Sequence, residues 1–271
     1  MYSQPPSLQD KTMAECFNNI ELEELITKEI NLPSPPAIAV QILHTVQNKD
    51  SSLDDLEKII SADPALTGKM LRIANSAFYS MPYEVKSVNH ALAILGTNVI
   101  KNIALSFVIA ADLRGNNQSL FDFDYFWKRS VTAAVAGELV AAKTGVINPD
   151  IFVAGLLQDL GIITMYLTKG EEYAKILQQY MLDPKNSLSR MEQEKYNFNH
   201  QQLGHLLLKS WNISHDIIEP ILFHHRPEDA PEKYKNTARI LDVANLLSAI
   251  YSDKETAENV LSLQDKMEKY F

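Results

Sequence analysis

Helix-start signals recur along this chain, each followed by apolar residues three and four positions apart, the spacing that puts them on one helical face. Ser52-Leu53-Asp54-Asp55 sets a hydroxyl and a carboxylate where they can cover exposed amides, with Leu53, Leu56, Ile59 and Ile60 behind them. Asp63-Pro64 is a second start: the aspartate can cap, and proline suits the first helical position because its missing amide proton is not needed there. Leu66, Met70, Leu71 and Ile73 then share a face. Ser87 predicts the cap of a short helix through Leu95, which Gly96 can close in the left-handed conformation. Thr97 can open the next, carrying Ile100, Ile103, Ala104 and Phe107. No stretch alternates convincingly at period two, so the expected fold is all-α with almost no sheet.

Breaks in this pattern set the organisation. Residues 1–18 hold Pro5 and Pro6 among polar residues and read as a tail. From Ile20, Leu22, Leu25 and Ile26 resume a helical face, and Leu32-Pro33-Ser34-Pro35-Pro36 must interrupt it, after which Ile38, Ile42 and Val46 fit another helix. Arg114 to Ser119 is polar, holds a glycine and lacks an apolar anchor, so it is the expected boundary between a lobe at about 19–115 and a second at about 119–271. Beyond it, Phe126, Trp127, Val131, Val135 and Leu139 predict a helix. One continuous helix is expected over Ile151–Leu167, and others over 171–182, 188–194, 200–210, 214–224 and 235–250.

The net charge of −9 disfavours nonspecific nucleic-acid binding, which needs clustered lysines and arginines to displace counterions. No apolar run is read as reaching membrane-spanning length, and Met1 to Asp10 has no basic region ahead of an apolar core, so the expected location is the cytoplasm. A single cysteine, Cys16, leaves no internal disulfide to form. Gly68-Lys69 lacks the upstream glycine of a phosphate-binding loop, and Trp127 and Trp211 fit core positions better than a ligand pocket.

Three blocks in the first lobe occur in a telling order. They are Leu32-Pro33-Ser34-Pro35-Pro36; Asp63-Pro64-Ala65-Leu66-Thr67 with Leu71-Arg72-Ile73-Ala74-Asn75-Ser76-Ala77; and Ala93-Ile94-Leu95-Gly96 with Ile103-Ala104-Leu105-Ser106. The second lobe adds Phe126 to Ser130, Gly155-Leu156-Leu157-Gln158-Asp159-Leu160-Gly161 and Phe223-His224-His225-Arg226-Pro227. Together these resemble the HDOD domain, a relative of the HD metal-dependent phosphohydrolases. The resemblance covers about residues 20 to 250 and implies a single module, residues 19–271, in which an N-terminal helical bundle packs on an HD-like helical lobe.

In the parent superfamily a histidine, a His-Asp doublet and a later aspartate bind the ion that activates water. Carried onto this chain, those positions fall on Arg129, Gln158-Asp159 and Asn245, so only Asp159 survives. Arg129 is worse than a missing ligand, because a guanidinium stays charged and has no lone pair for a cation. The expectation is a non-catalytic regulatory module of bacterial signal transduction, without cofactor or metal, acting on a signalling protein partner or a small-molecule or nucleotide ligand. The alternative is a residual phosphohydrolase acting on a nucleotide or cyclic dinucleotide. His200, His224 and His225 resemble the extra histidines of the HD-GYP phosphodiesterases and with Asp159 could form a weak site of different geometry. The plainer expectation is that His200 caps a helix, one of the pair bonds a backbone carbonyl, and His225 gains positive charge from a nearby helix end. Arg129 is expected to replace the ion by pairing directly with Asp159 within about 4 Å, with Gln158 and Asn245 completing the hydrogen bonding.

Overall fold

The computed structural model describes residues 37–47, 52–75, 83–112, 121–182, 187–252 and 257–271. The tail with Cys16, the helix from Ile20, the proline run 32–36 and the boundary segment 114–119 lie outside them.

The first lobe is built from α1 (Ala37–Gln47), α2 (Leu53–Ser61), α3 (Pro64–Ala74), α4 (Val88–Leu95) and α5 (Thr97–Asp112). Its caps follow the local chemistry. Ser52 and Asp55 form a reciprocal capping box, Asp63 Oδ1 accepts the Leu66 amide, and Ser87 Oγ accepts that of His90. Gly96 ends α4 at φ 82, ψ 160: a positive φ as expected, but extended rather than left-handed helical. Asn75 bonds Leu71 and Val85 through its side chain, tying the end of α3 to the chain ahead of α4, so its motif position has a structural cause.

The second lobe comprises α6 (Phe123–Thr144), α7 (Ile151–Leu157), α8 (Leu160–Lys169), α9 (Glu171–Leu182), α10 (Leu188–Tyr196), α11 (His200–Ser210), α12 (His215–Leu222), a 3-10 turn (Pro227–Asp229), α13 (Glu232–Ser252) and α14 (Ala257–Tyr270). No strand occurs among the described residues. α13 lies along α6, α6 along α7, and α11 against α8 and α12. One hydrophobic cluster runs through both lobes, from Ile42, Ile60 and Met70 to Phe152, Leu157 and Leu241, with Trp127 and Trp211 buried in it. A smaller one around Tyr173, Phe198 and Leu203 packs α8–α11. At the seam of the lobes, Lys101 of α5 is only 2% exposed and donates to Asp150 at 3.2 Å, just ahead of α7.

The structure corrects three expectations. The helix expected over Ile151–Leu167 is broken at Gln158-Asp159, where α7 stops and α8 begins. α14 lies past the last helix expected from the pattern; Leu263 and Met267 bring it onto the core, and Lys266 and Tyr270 bond Asp242. Finally, Ile151–Lys169 does reach 19 residues at mean hydropathy 1.6, but 72% of its most apolar window is buried inside the bundle. Its apolar character is that of a core element surrounded by helices.

Candidate functional site

The break between α7 and α8 is what makes a site. Asp159 stands in the non-helical residue between them, φ −102 and ψ 13, so its carboxylate leaves the helix surface instead of capping α8. α11 then passes α8 at contact distance. A Cβ built on Gly161 would fall 1.9 Å from the carbonyl oxygen of His200, and one on Gly204 would fall 3.2 Å from the Gly161 nitrogen. Only glycines permit this crossing, and it brings His200 up to Asp159. The turn after α12 delivers His224 and His225 from a third direction.

One ligand atom from each of Asp159, His200, His224 and His225 lies within 4.8 Å of every other. His200 Nε2 is 3.8 Å from Asp159 Oδ1 and 3.3 Å from His225 Nε2. His224 Nε2 is 3.3 Å from Asp159 Oδ1, but off the line of a hydrogen bond, which leaves that buried nitrogen without a hydrogen-bonding partner.

The far nitrogens explain which way these rings face. His224 Nδ1 lies 2.7 Å from the Ile221 carbonyl, which can only accept, so Nδ1 carries a proton and Nε2 is the nitrogen turned toward Asp159. His200 Nδ1 lies 2.7 Å from Glu192 Oε2, which also accepts the His200 backbone amide at 2.8 Å. Glu192 is fully buried and takes a further hydrogen bond from the Tyr173 hydroxyl. Ring nitrogens fixed in this way are the usual outer support of metal-binding histidines.

Electrostatics agree. Burial pushes the Asp159 carboxyl up, but the contact and charge of His224, then the charges of His200 and His225, outweigh it and hold the group well below the usual carboxylate range. Burial lowers the His200 imidazole, yet Glu192, with Asp159, holds it above the ordinary value. Both shifts describe a field that favours positive charge between the two carboxylates. His225 goes the other way: desolvation of its ring, then the charges of His224 and His200, hold it well below the ordinary range, although part of the residue reaches solvent. The expected gain of positive charge on His225 is therefore corrected. So is the capping role of His200, since the cap of α11 is Asn199, in a capping box with Gln202. The carbonyl bond foreseen for one of the pair is made by His224.

Arg129 is elsewhere. Its Nη2 donates to Asn245 Oδ1 at 3.0 Å and Ser248 Oγ at 3.4 Å, joining α6 to α13. The expected Arg129–Asp159 ion pair does not form among the described residues: Arg129 is engaged by Asn245 and Ser248, and the basic side chains within 4 Å of Asp159 are His200 and His224. Gln158 is buried with neither amide atom bonded, and Arg129 Nε is likewise buried without a partner. Gln158 thus does not complete a hydrogen-bonding set, while Asn245 does so toward Arg129 alone.

Comparison with known proteins fits this geometry. Residues 32–227 match the HDOD domain, and the chain belongs to that family. The fold is shared with a candidate phosphohydrolase from Shewanella amazonensis, at TM-score 0.74 and 24% identity over 91% of this chain and 87% of that one. It is shared equally with an HDOD domain protein of unknown function from Geobacter sulfurreducens, at TM-score 0.74 and 22% identity over 94% and 96%. A candidate signal transduction protein from Marinobacter aquaeolei aligns at TM-score 0.69 and 19% identity over 88% of this chain and 56% of its own. An uncharacterized protein of Treponema pallidum is 24% identical over 252 residues, 88% of this chain, which spans about half of that relative's length. The family match and the shared fold together define an HDOD domain, all-helical and HD-related.

Proposed function

We propose that this chain is a regulatory module of bacterial signal transduction, cytoplasmic and non-catalytic, that passes a signal by binding a signalling protein or a small ligand such as a nucleotide. The observation that carries this reading is the placement of Arg129. An HD enzyme uses that position for a neutral imidazole with a lone pair; here a permanent cation is anchored to Asn245 and Ser248. Metal-assisted phosphoester hydrolysis needs an ion bound beside the substrate, and a guanidinium standing at a ligand position would repel one. The likeness to the Marinobacter aquaeolei protein, named for signal transduction, supports the reading.

A second reading is favoured by one observation. Asp159 and three histidines still converge, and the Shewanella amazonensis relative is named as a candidate phosphohydrolase. In that reading the chain retains hydrolysis of a nucleotide or cyclic dinucleotide. Assay of cyclic mononucleotides, cyclic dinucleotides and guanosine polyphosphates with manganese, iron or nickel separates the two. The expected outcome is no turnover. Turnover that disappears in Asp159→Ala would establish the enzyme, whereas turnover that persists in that variant marks a contaminant.

A further inference from the structure

We infer that Asp159, His200, His224 and His225 bind a single divalent transition-metal ion, clasping the start of α8, the start of α11 and the turn after α12. This goes beyond the regulatory reading, since an ion can serve a non-catalytic module as a clasp. The spacing supports it. Four ligands held about 2.1 Å from an ion in a tetrahedral array stand about 3.4 Å from their neighbours. The contacts seen, 3.3, 3.3 and 3.8 Å, bracket that separation, and all four ligand atoms lie within 4.8 Å of one another.

The donors decide the class of ion. Three imidazole nitrogens and one carboxylate oxygen suit zinc, iron(II), cobalt or nickel, whereas magnesium and calcium require mostly oxygen. Two independent observations show a built site rather than a chance meeting of polar groups. The buried His224 Nε2 has no hydrogen-bonding partner, a cost a folded protein does not normally leave unmet. The far nitrogens of His200 and His224 are both tied back, one to buried Glu192 and the other to a carbonyl. The stoichiometry is one, because the four ligand atoms lie within 4.8 Å of one another, room for a single ion.

The test uses the full chain, stripped with a chelator and titrated with cobalt(II) or zinc(II). Metal content is measured after gel filtration, and cobalt absorption and thermal unfolding are followed. One equivalent is expected to bind and to raise the unfolding temperature. His225→Ala, a partly exposed position whose loss spares the core, should weaken binding at least about tenfold. Glu192→Gln should weaken it by about 10–100-fold through the orientation of His200. His215→Ala, in the separate His205–Glu219–His215 group, should change nothing. Absence of saturable binding, His225→Ala binding as tightly as wild type, or loss of binding in His215→Ala would each overturn the inference. If Glu192→Gln fails to fold, His225→Ala decides. Ion binding without turnover supports this site and the regulatory reading together. Turnover by the loaded protein would overturn that reading and leave the ion site standing; no binding would do the reverse.

Discussion

Two polar clusters of the second lobe, one around Arg129 and one around Asp159, are built in opposite ways. At the α6–α13 end a cation is part of the covalent chain, held by Asn245 and Ser248. At the α8–α11–α12 end the chain supplies acceptors, lone pairs turned inward by Glu192 and the Ile221 carbonyl. The first carries its own cation, although Arg129 Nε is itself buried without a partner. The second leaves buried nitrogen unmet and gathers negative potential.

The sharpest way to break this comparison is Gly161→Ala. The new methyl would meet the His200 carbonyl at 1.9 Å, between two backbones that cannot yield without parting α8 from α11. A loss of about 3 kcal/mol or more is expected in urea denaturation, at or beyond the upper range for overpacking. Gly68→Ala, on an exposed face of α3 with nothing within 4 Å, should instead gain about 0.5–1 kcal/mol from helix propensity. Equal effects of the two substitutions would refute the close-crossing account.

Next in size come the polar anchors. Glu192→Ala strands the buried His200 ring and the Tyr173 hydroxyl, and should cost about 3–5 kcal/mol in the ion-free protein. Arg129→Ala removes hydrogen bonds from a half-buried guanidinium and should cost only about 1–2 kcal/mol. Asn245→Ala should add little more on top of it, since the two share one bond. Reversal of that order in equilibrium unfolding would show that Arg129, not Glu192, organises the cleft.

The smallest expected effect is a pH dependence at Glu219, outside the cleft. The hydrogen bond with His205, working against burial, and then that with His215 hold its carboxyl below the ordinary range. A depressed carboxylate adds stability above its unfolded value, about 4.3, and loses it as pH falls through the lower folded value. The gap between wild type and Glu219→Gln should therefore be present above about pH 4.3 and should close as pH falls further. A gap that stays constant from pH 6 to pH 3 would contradict this.

The all-helical fold could be read from the chain because capping and periodicity are local: Ser52, Asp63 and Ser87 each act within four residues of themselves. The break at Gln158-Asp159 was not legible, since an apolar run on either side reads as one helix until tertiary packing turns it. α14 was missed because its apolar face, Leu263 and Met267, is short and set among charges. For the site, the histidines and Asp159 could be singled out, but not their meeting, which depends on the Gly161–Gly204 crossing. Glu192 gave no signal, as nothing in a lone glutamate eight residues before His200 announces complete burial. Charge matching alone predicts an Arg129–Asp159 pair; which basic side chain reaches Asp159 depends on the fold, which brings up His200 and His224.

Lys101 governs how the two lobes can shift. Its ammonium lies at their seam almost without water, 3.2 Å from Asp150. Apolar side chains can slide past one another at little cost, but an ammonium in such a place must keep an oxygen within reach at every stage of a movement. Shear along the seam would pull it away from Asp150, while rotation about that contact would not. The pair would therefore act as a pivot pin, and a displacement started in one lobe would reach the other as a change of angle, as in hinge motions.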